Sequence, residues 1–221
     1  MKQGNQYDTR ALGARWLTAL ALQCWCVSAS CASVDDDFRR GQMAYQRGDF
    51  ASAMSTLRAP AAAGHAASQT LLAYILDHAD FPEEAARLYA GAAGQGDAEA
   101  HAGLANLLLA GRGIAKDEKQ ALAHFSKAAA LGHGQSIFVL ADAHLQGLLG
   151  LRAEPRDDTA TVAVLGRAAE RGHLPSAEAL AKAYRDGGLG MAPNPVQAAQ
   201  WQLRVAQLRK ERSASVSKAK P

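Results

Sequence analysis

A chain of 221 residues with 48% hydrophobic and only 6% aromatic content can bury the core of one domain. Its formal charge of +3 is uneven: residues 31–203 hold 15 basic and 19 acidic groups, a net of −4, and the stretch from Arg204 holds six basic groups and one acid. The acidic body excludes the basic face that nucleic acid requires, and no run of alternating β-branched residues predicts a strand.

The first 32 residues stand apart. Lys2, Arg10 and Arg15 precede an apolar run from Trp16 to Val27, and the small residues Ser28, Ala29, Ser30 and Ala32 follow. That is the layout of a secretory signal peptide. The run falls short of the roughly 20 apolar residues a permanent span needs. Cys24, Cys26 and Cys31 all lie here, and no cysteine follows. A disulfide framework and a cysteine metal site are therefore excluded from the body. Val27-Ser28-Ala29-Ser30-Cys31 resembles a bacterial lipobox, with Ser28 where leucine is usual. In that reading Cys31 is lipidated and becomes the mature N-terminus. Cleavage near Ala32-Ser33 is the competing reading, and both stay open. Asp35-Asp36-Asp37 is expected to cap the first helix from outside it.

From residue 33 to 212 one pattern recurs. A pair of small residues is followed by glycine, then a small residue, then Leu-Ala. It reads Pro60-Ala61, Gly64, Ser68, Leu72-Ala73; then Ala92-Ala93, Gly96, Ala100, Leu104-Ala105. It returns as Ala128-Ala129, Gly132, Ser136, Leu140-Ala141 and as Ala168-Ala169, Gly172, Ser176, Leu180-Ala181. The glycines stand 32, 36 and 40 residues apart. Such a period marks a stacked-helix array.

Each unit reads as two antiparallel helices, A carrying the Leu-Ala step and B the small pair. Seven residues before each pair, on the same helix face, stand Ala53, Ala85, Ala121, Thr161 and, in the last unit, Ala198. Three residues before the pair stands a large group: Leu57, Tyr89, Phe125, Leu165. Large against small at fixed spacing interdigitates helices. The later A-to-B connections lengthen and carry glycine, at Gly111-Arg112-Gly113, Gly147 to Gly150 and Gly187-Gly188-Leu189-Gly190, where helix A can end and the chain reverse. Pro82, Pro155, Pro193 and Pro195 sit near helix B starts, and Asp117 and Asp158 suit N-terminal turns. The expected fold is all-α, an α/α solenoid of about five antiparallel helix pairs. The tail 213–221, with Lys218 and Lys220, has almost nothing apolar to bury and is expected to be disordered.

Residues Ala100 to Gly132, AHAGLANLLLAGRGIAKDEKQALAHFSKAAALG, resemble a Sel1-like repeat. Ala100, Leu104, Ala105, Gly111, Gly113, Asp117, Ala121, Phe125, Lys127, Ala128, Ala129 and Gly132 match that family's pattern; Leu108 stands at its tyrosine and Ile114 at its valine. The first two units are similar to the related tetratricopeptide repeat. The resemblance covers about residues 36–208. It implies a non-enzymatic protein-interaction scaffold, binding a protein or peptide segment in the concave groove lined by the A helices. With the leader, it implies the bacterial cell envelope: the periplasm, or the outer membrane as a lipoprotein anchored through Cys31. No cofactor and no metal are expected.

By register, the groove residues are Thr70, Tyr74, Asp77, Asn106, Phe138, Asp142, Glu178, Lys182 and Arg185. Two aromatics, an amide and both charge signs suit a peptide better than an anionic polymer. His65, His133 and His173 each follow the repeat glycine. They lie about a helix diameter apart, too far to share a metal ion, and are expected to cap or cover the next helix. Glu83-Glu84 and Asp157-Asp158 could pair as acid and base, but both fall at helix starts, where carboxylates favour the dipole. No Gly-x-Ser-x-Gly, His-Glu-x-x-His or P-loop occurs. The alternative is a cell-wall or β-lactam hydrolase of the Sel1-like type, with Asp142 and Lys182 as its acid and amine.

Overall fold

The computed structural model describes residues 34–149, 151 and 159–218. The leader with Cys31, and also Gly150, Pro155, Asp157, Asp158 and Lys220, lie outside these residues. The described chain forms helices only. α1 (34–46) and α2 (Phe50–Ala62) make the first pair, α3 (Ala66–His78) and α4 (Pro82–Gly94) the second, and α5 (Ala98–Ala110) and α6 (Glu118–Ala130) the third. α7 (Gly134–Gln146) packs on α8 (Thr159–Glu170), and α9 (Leu174–Asp186) on α10 (Pro195–Lys218). The five A-and-B pairs of an α/α solenoid are therefore present.

The repeat registers carry the core. Ser68, Ala100, Ser136 and Ser176 are each fully buried, and the Leu-Ala steps one turn on are buried as well. On the B helices Ala53, Ala85 and Ala121 have no exposed surface, and the large residues Leu57, Tyr89, Phe125 and Leu165 are buried beside them. Each buried leucine or phenylalanine contributes about 1.5–3 kcal/mol, so this stripe supplies most of the cohesion between units. Alanine lets the helices approach closely; Gly103 goes further, since a Cβ there would sit 2.4 Å from the Tyr89 ring.

The connections follow the glycines. α5, α7 and α9 end on Gly111, Gly147 and Gly187 in the left-handed conformation. The second glycine of the third unit, Gly113, has φ +65, and a Cβ on it would lie 2.2 Å from the Pro82 carbonyl carbon. In the last two units the same offset holds leucine, and Leu149 and Leu189 keep the left-handed φ at 56 and 55. Arg112 ties this loop to the second unit: its guanidinium reaches Asp77 at 3.1 Å and Asp80 at 3.6 Å and donates to the Asp77 carbonyl at 2.9 Å.

Pro82 opens α4 and Asp117 caps α6, as expected. Two boundaries differ. Asp35, Asp36 and Asp37 lie inside the first turn of α1, where Asp36 and Asp37 pair with Arg39 and Arg40. The expected disordered tail from Ser213 is helical as far as Lys218. No glycine or proline interrupts the chain after Pro195 until Pro221, and Ser213 and Ser215 hydrogen-bond back to the carbonyls of Lys210 and Arg212. The helix there continues α10 without burying a core of its own.

Candidate functional site

The A helices stand side by side and share one face. What joins them is a capping histidine. His65 begins α3, and its Nδ1 accepts from the Ser68 backbone N–H at 3.3 Å and lies 2.8 Å from the Ser68 hydroxyl. His133 does the same with Ser136 at the start of α7, and His173 lies 2.7 Å from the Ser176 hydroxyl at the start of α9. An Nδ1 that accepts leaves the proton on Nε2. Each Nε2 meets an acid on the preceding A helix: Asp35 at 3.6 Å, Glu99 at 3.1 Å and Asp142 at 3.3 Å. Two of the rings also pack on aromatics of that helix, His65 edge-on to Phe38 and His173 stacked on Phe138 at 5.0 Å and 23°. His65 and His133 therefore cap their helices, and His173, whose ring accepts no backbone N–H, covers the start of α9.

The junction of α3 and α5 is built otherwise. Asp97 caps α5, accepting from the Ala100 N–H at 2.8 Å, and no imidazole is present. Five residues after His133, α7 presents Phe138; five residues after His65, α3 presents Thr70. A recess of about 270 Å³ opens there, lined by Phe38, Tyr45, Thr70, Tyr74, Asp97 and Glu99 among others. Thr70 is 8% exposed, and its hydroxyl is buried without a hydrogen-bond partner. Tyr74 is 38% exposed and stands edge-on to Tyr45, ring centres 6.0 Å apart. Burial, and then the Tyr74 hydroxyl beside it, raise the Tyr45 phenol above its ordinary range. A second recess of the same size lies round the corner, between Tyr45, Phe50, Met54, Tyr74, Ile75 and His78.

Thr70 and Tyr74 are thus the two groove residues that share a recess at this end. Asp77 is half-buried and turned to Arg112. Asn106 is exposed on α5. Phe138 and Asp142 are engaged by His173. Glu178, Lys182 and Arg185 line a third recess with α10, where Glu178 pairs with Arg209 at 2.7 Å and Arg185 makes two bonds to Asp186. Asp142 lines a different recess from Lys182, with Leu109 and Val139, so the acid and amine of the hydrolase reading do not converge. Glu83 and Glu84 lie in the first turn of α4, and Glu84 pairs with Arg58.

Sequence reading missed Phe38, Tyr45, Asp97 and Glu99. The first two belong to α1, which carries no Leu-Ala step to set a register. Asp97 carried a signal: it stands where the other units have histidine after the glycine. A His101–His124 pair was also missed; it joins α5 to α6 through Nδ1 atoms 2.9 Å apart. Burial lowers both imidazoles below their ordinary range, and Lys127 lowers each further. Among the described residues no group of three or more metal-ligating side chains occurs.

A scan against protein-family models finds no match, and a search of the curated proteins finds none. Solved structures do match. A Sel1 repeat protein from Oxalobacter formigenes is 26% identical, with a TM-score of 0.65 over 77% of this chain and 70% of its own. The protein c5321, a protective antigen of uropathogenic Escherichia coli strains displaying an SLR fold, is 24% identical, with a TM-score of 0.61 over 81% of this chain. This chain spans 39% of the length of that antigen.

Proposed function

Because the chain is a Sel1-like repeat protein, built on a fold that commonly serves as a protein-interaction scaffold, we propose that its A-helix face binds an extended or helical segment of a protein partner in the bacterial cell envelope. The observation that carries this reading is the face itself. Tyr74 and its neighbours present aromatic surface at recesses that no other described element covers. Exposed aromatic side chains beside small clefts are the common anchors of protein interfaces. Glu99 and His78 beside them are engaged within the chain and, with Asp97, form a polar rim. Non-enzymatic binding accounts for these features without a reacting pair.

The envelope setting rests on the leader: three basic residues, a short apolar run and small residues before Cys31 and Ala32. Within it the protein is periplasmic, and a lipidated Cys31 would hold it to the outer membrane. The test is a cross-linking pull-down from envelope fractions with the tagged full-length chain and a Cys31→Ala form in parallel. One specific envelope protein captured by both forms supports the scaffold and supplies the partner. Loss of membrane fractionation in Cys31→Ala alone identifies the anchor. Capture of nothing by either form counts against the scaffold.

A further inference from the structure

We infer that the recess between α1, α3 and α5 receives the cationic side chain of a basic residue, arginine or lysine, from the bound segment. This rests on the reading of the A-helix face as a partner-binding surface and assigns one subsite within it.

The argument comes from comparing the junctions. At α1–α3, α5–α7 and α7–α9 the chain supplies both halves of a contact, a carboxylate on one A helix and an imidazole Nε2 on the next. At α3–α5 it supplies the carboxylate alone. Asp97 takes the place of the histidine, and Thr70 takes the place that Phe138 holds beneath His173. Two small polar groups replace two rings, and a recess of about 270 Å³ results.

Its lining is matched to a cation. Asp97 and Glu99 bring negative charge: Glu99 also meets His133 Nε2 at 3.1 Å, and Asp97 uses Oδ1 on the Ala100 N–H, its second oxygen having no hydrogen bond among the described residues. Phe38, Tyr45 and Tyr74 bring aromatic surface, which attracts a guanidinium or ammonium electrostatically. The Thr70 hydroxyl has no hydrogen-bond partner and lies just beneath the recess with almost no accessible surface, so it accepts from a guanidinium N–H only once its side chain turns outward. A buried hydroxyl left unpaired is costly to the free protein, and a ligand that pairs it recovers that cost. An acidic side chain would meet two carboxylates, and an aliphatic one would strand Thr70 and Asp97.

The test is an NMR titration of the isotope-labelled full-length chain with Ac-Gly-Gly-Arg-Gly-Gly-NH2 and its Leu- and Glu-centred counterparts. The expected result is movement of the Thr70, Tyr74 and Glu99 amides by the arginine peptide, with the other two at least tenfold weaker. Asp97→Asn keeps the helix cap and Glu99→Gln keeps a hydrogen bond to His133; each should weaken the arginine peptide at least fivefold. Thr70→Val should weaken it at least threefold while the unfolding midpoint stays level or rises. A leucine peptide that binds this recess as well as arginine overturns the cation assignment and leaves the binding face standing. Wild-type affinity in all three variants overturns it too. Silence of all three peptides, with a partner still captured in the pull-down, removes this subsite and spares the scaffold.

Discussion

The His173 ring lies on Phe138 at 5.0 Å, nearly parallel, while its Nε2 points at Asp142 from 3.3 Å and its Nδ1 meets the Ser176 hydroxyl. One side chain thus starts α9 and fastens it to α7. The same imidazole device recurs at His65 and His133, so the array is held on its A side by local polar contacts laid over the buried Leu-Ala stripe.

His133→Ala should lower stability by about 1 kcal/mol, the usual cost of losing an N-cap. His133→Asn, which restores a capping acceptor but not the Glu99 contact, should recover most of it, because a single hydrogen bond to a largely exposed carboxylate contributes little. Urea unfolding of the three proteins checks this, and equal losses in both variants would contradict the capping role.

Glycines in this chain should separate by what surrounds them. Gly113→Ala forces a Cβ against the Pro82 carbonyl at a left-handed φ and should cost about 2–4 kcal/mol. Gly166→Ala, in the middle of α8 with nothing within 4 Å, should stabilise by about 0.5–1 kcal/mol. Thermal or urea melts of the pair decide it; the same sign for both would be wrong for this account.

Much of the fold was legible because glycine, Leu-Ala and the small B-helix residues recur at fixed offsets, and each offset corresponds to a buried contact. Gly111, Asp117 and Pro82 announced helix ends through their own backbone chemistry. The candidate site was only half legible. Register found Thr70 and Tyr74, but their neighbours Phe38 and Tyr45 come from a helix without the repeat's landmarks. Spacing did not show the pairing of the charged residues: Asp77, Asp142 and Glu178 meet partners on other helices or loops, and Arg185 meets its neighbour Asp186. Ion pairing between units depends on the packing of whole helices, which residue spacing along one helix does not encode. The helical tail beyond Ser213 shows the converse, since low apolar content predicts no core yet does not stop a helix that nothing breaks.

Acid should weaken the α5–α6 contact. His101 and His124 share one Nδ1···Nδ1 hydrogen bond, and burial lowers both below the unfolded value near 6.5. In the unfolded chain these groups bind protons more readily, so unfolding takes up protons as pH falls. Their contribution is intact above about pH 6.5 and declines below it, until the lowered folded values are passed. Urea midpoints between pH 7.5 and 5 should fall, and a His101→Gln/His124→Gln form should show a flatter slope. An unchanged slope would remove the pair from the account.

Tyr74→Ala should separate binding from folding. The ring is 38% exposed, touching Tyr45 and His78, so its loss should cost partner affinity about 1–3 kcal/mol and stability less. Phe138→Ala should cost stability as well, since His173 loses its stacking surface. Affinity for the captured partner and urea midpoints, measured on both variants, test the distinction.

The most direct measurement is site-specific photo-cross-linking in intact cells. A benzophenone amino acid is placed at Tyr74 on the A-helix face and, in a second strain, at Ala123, exposed on helix α6 of the B layer. The account predicts a discrete adduct from position 74 and none from position 123. Adducts from position 123 with none from position 74 would contradict the A-helix face as the binding surface.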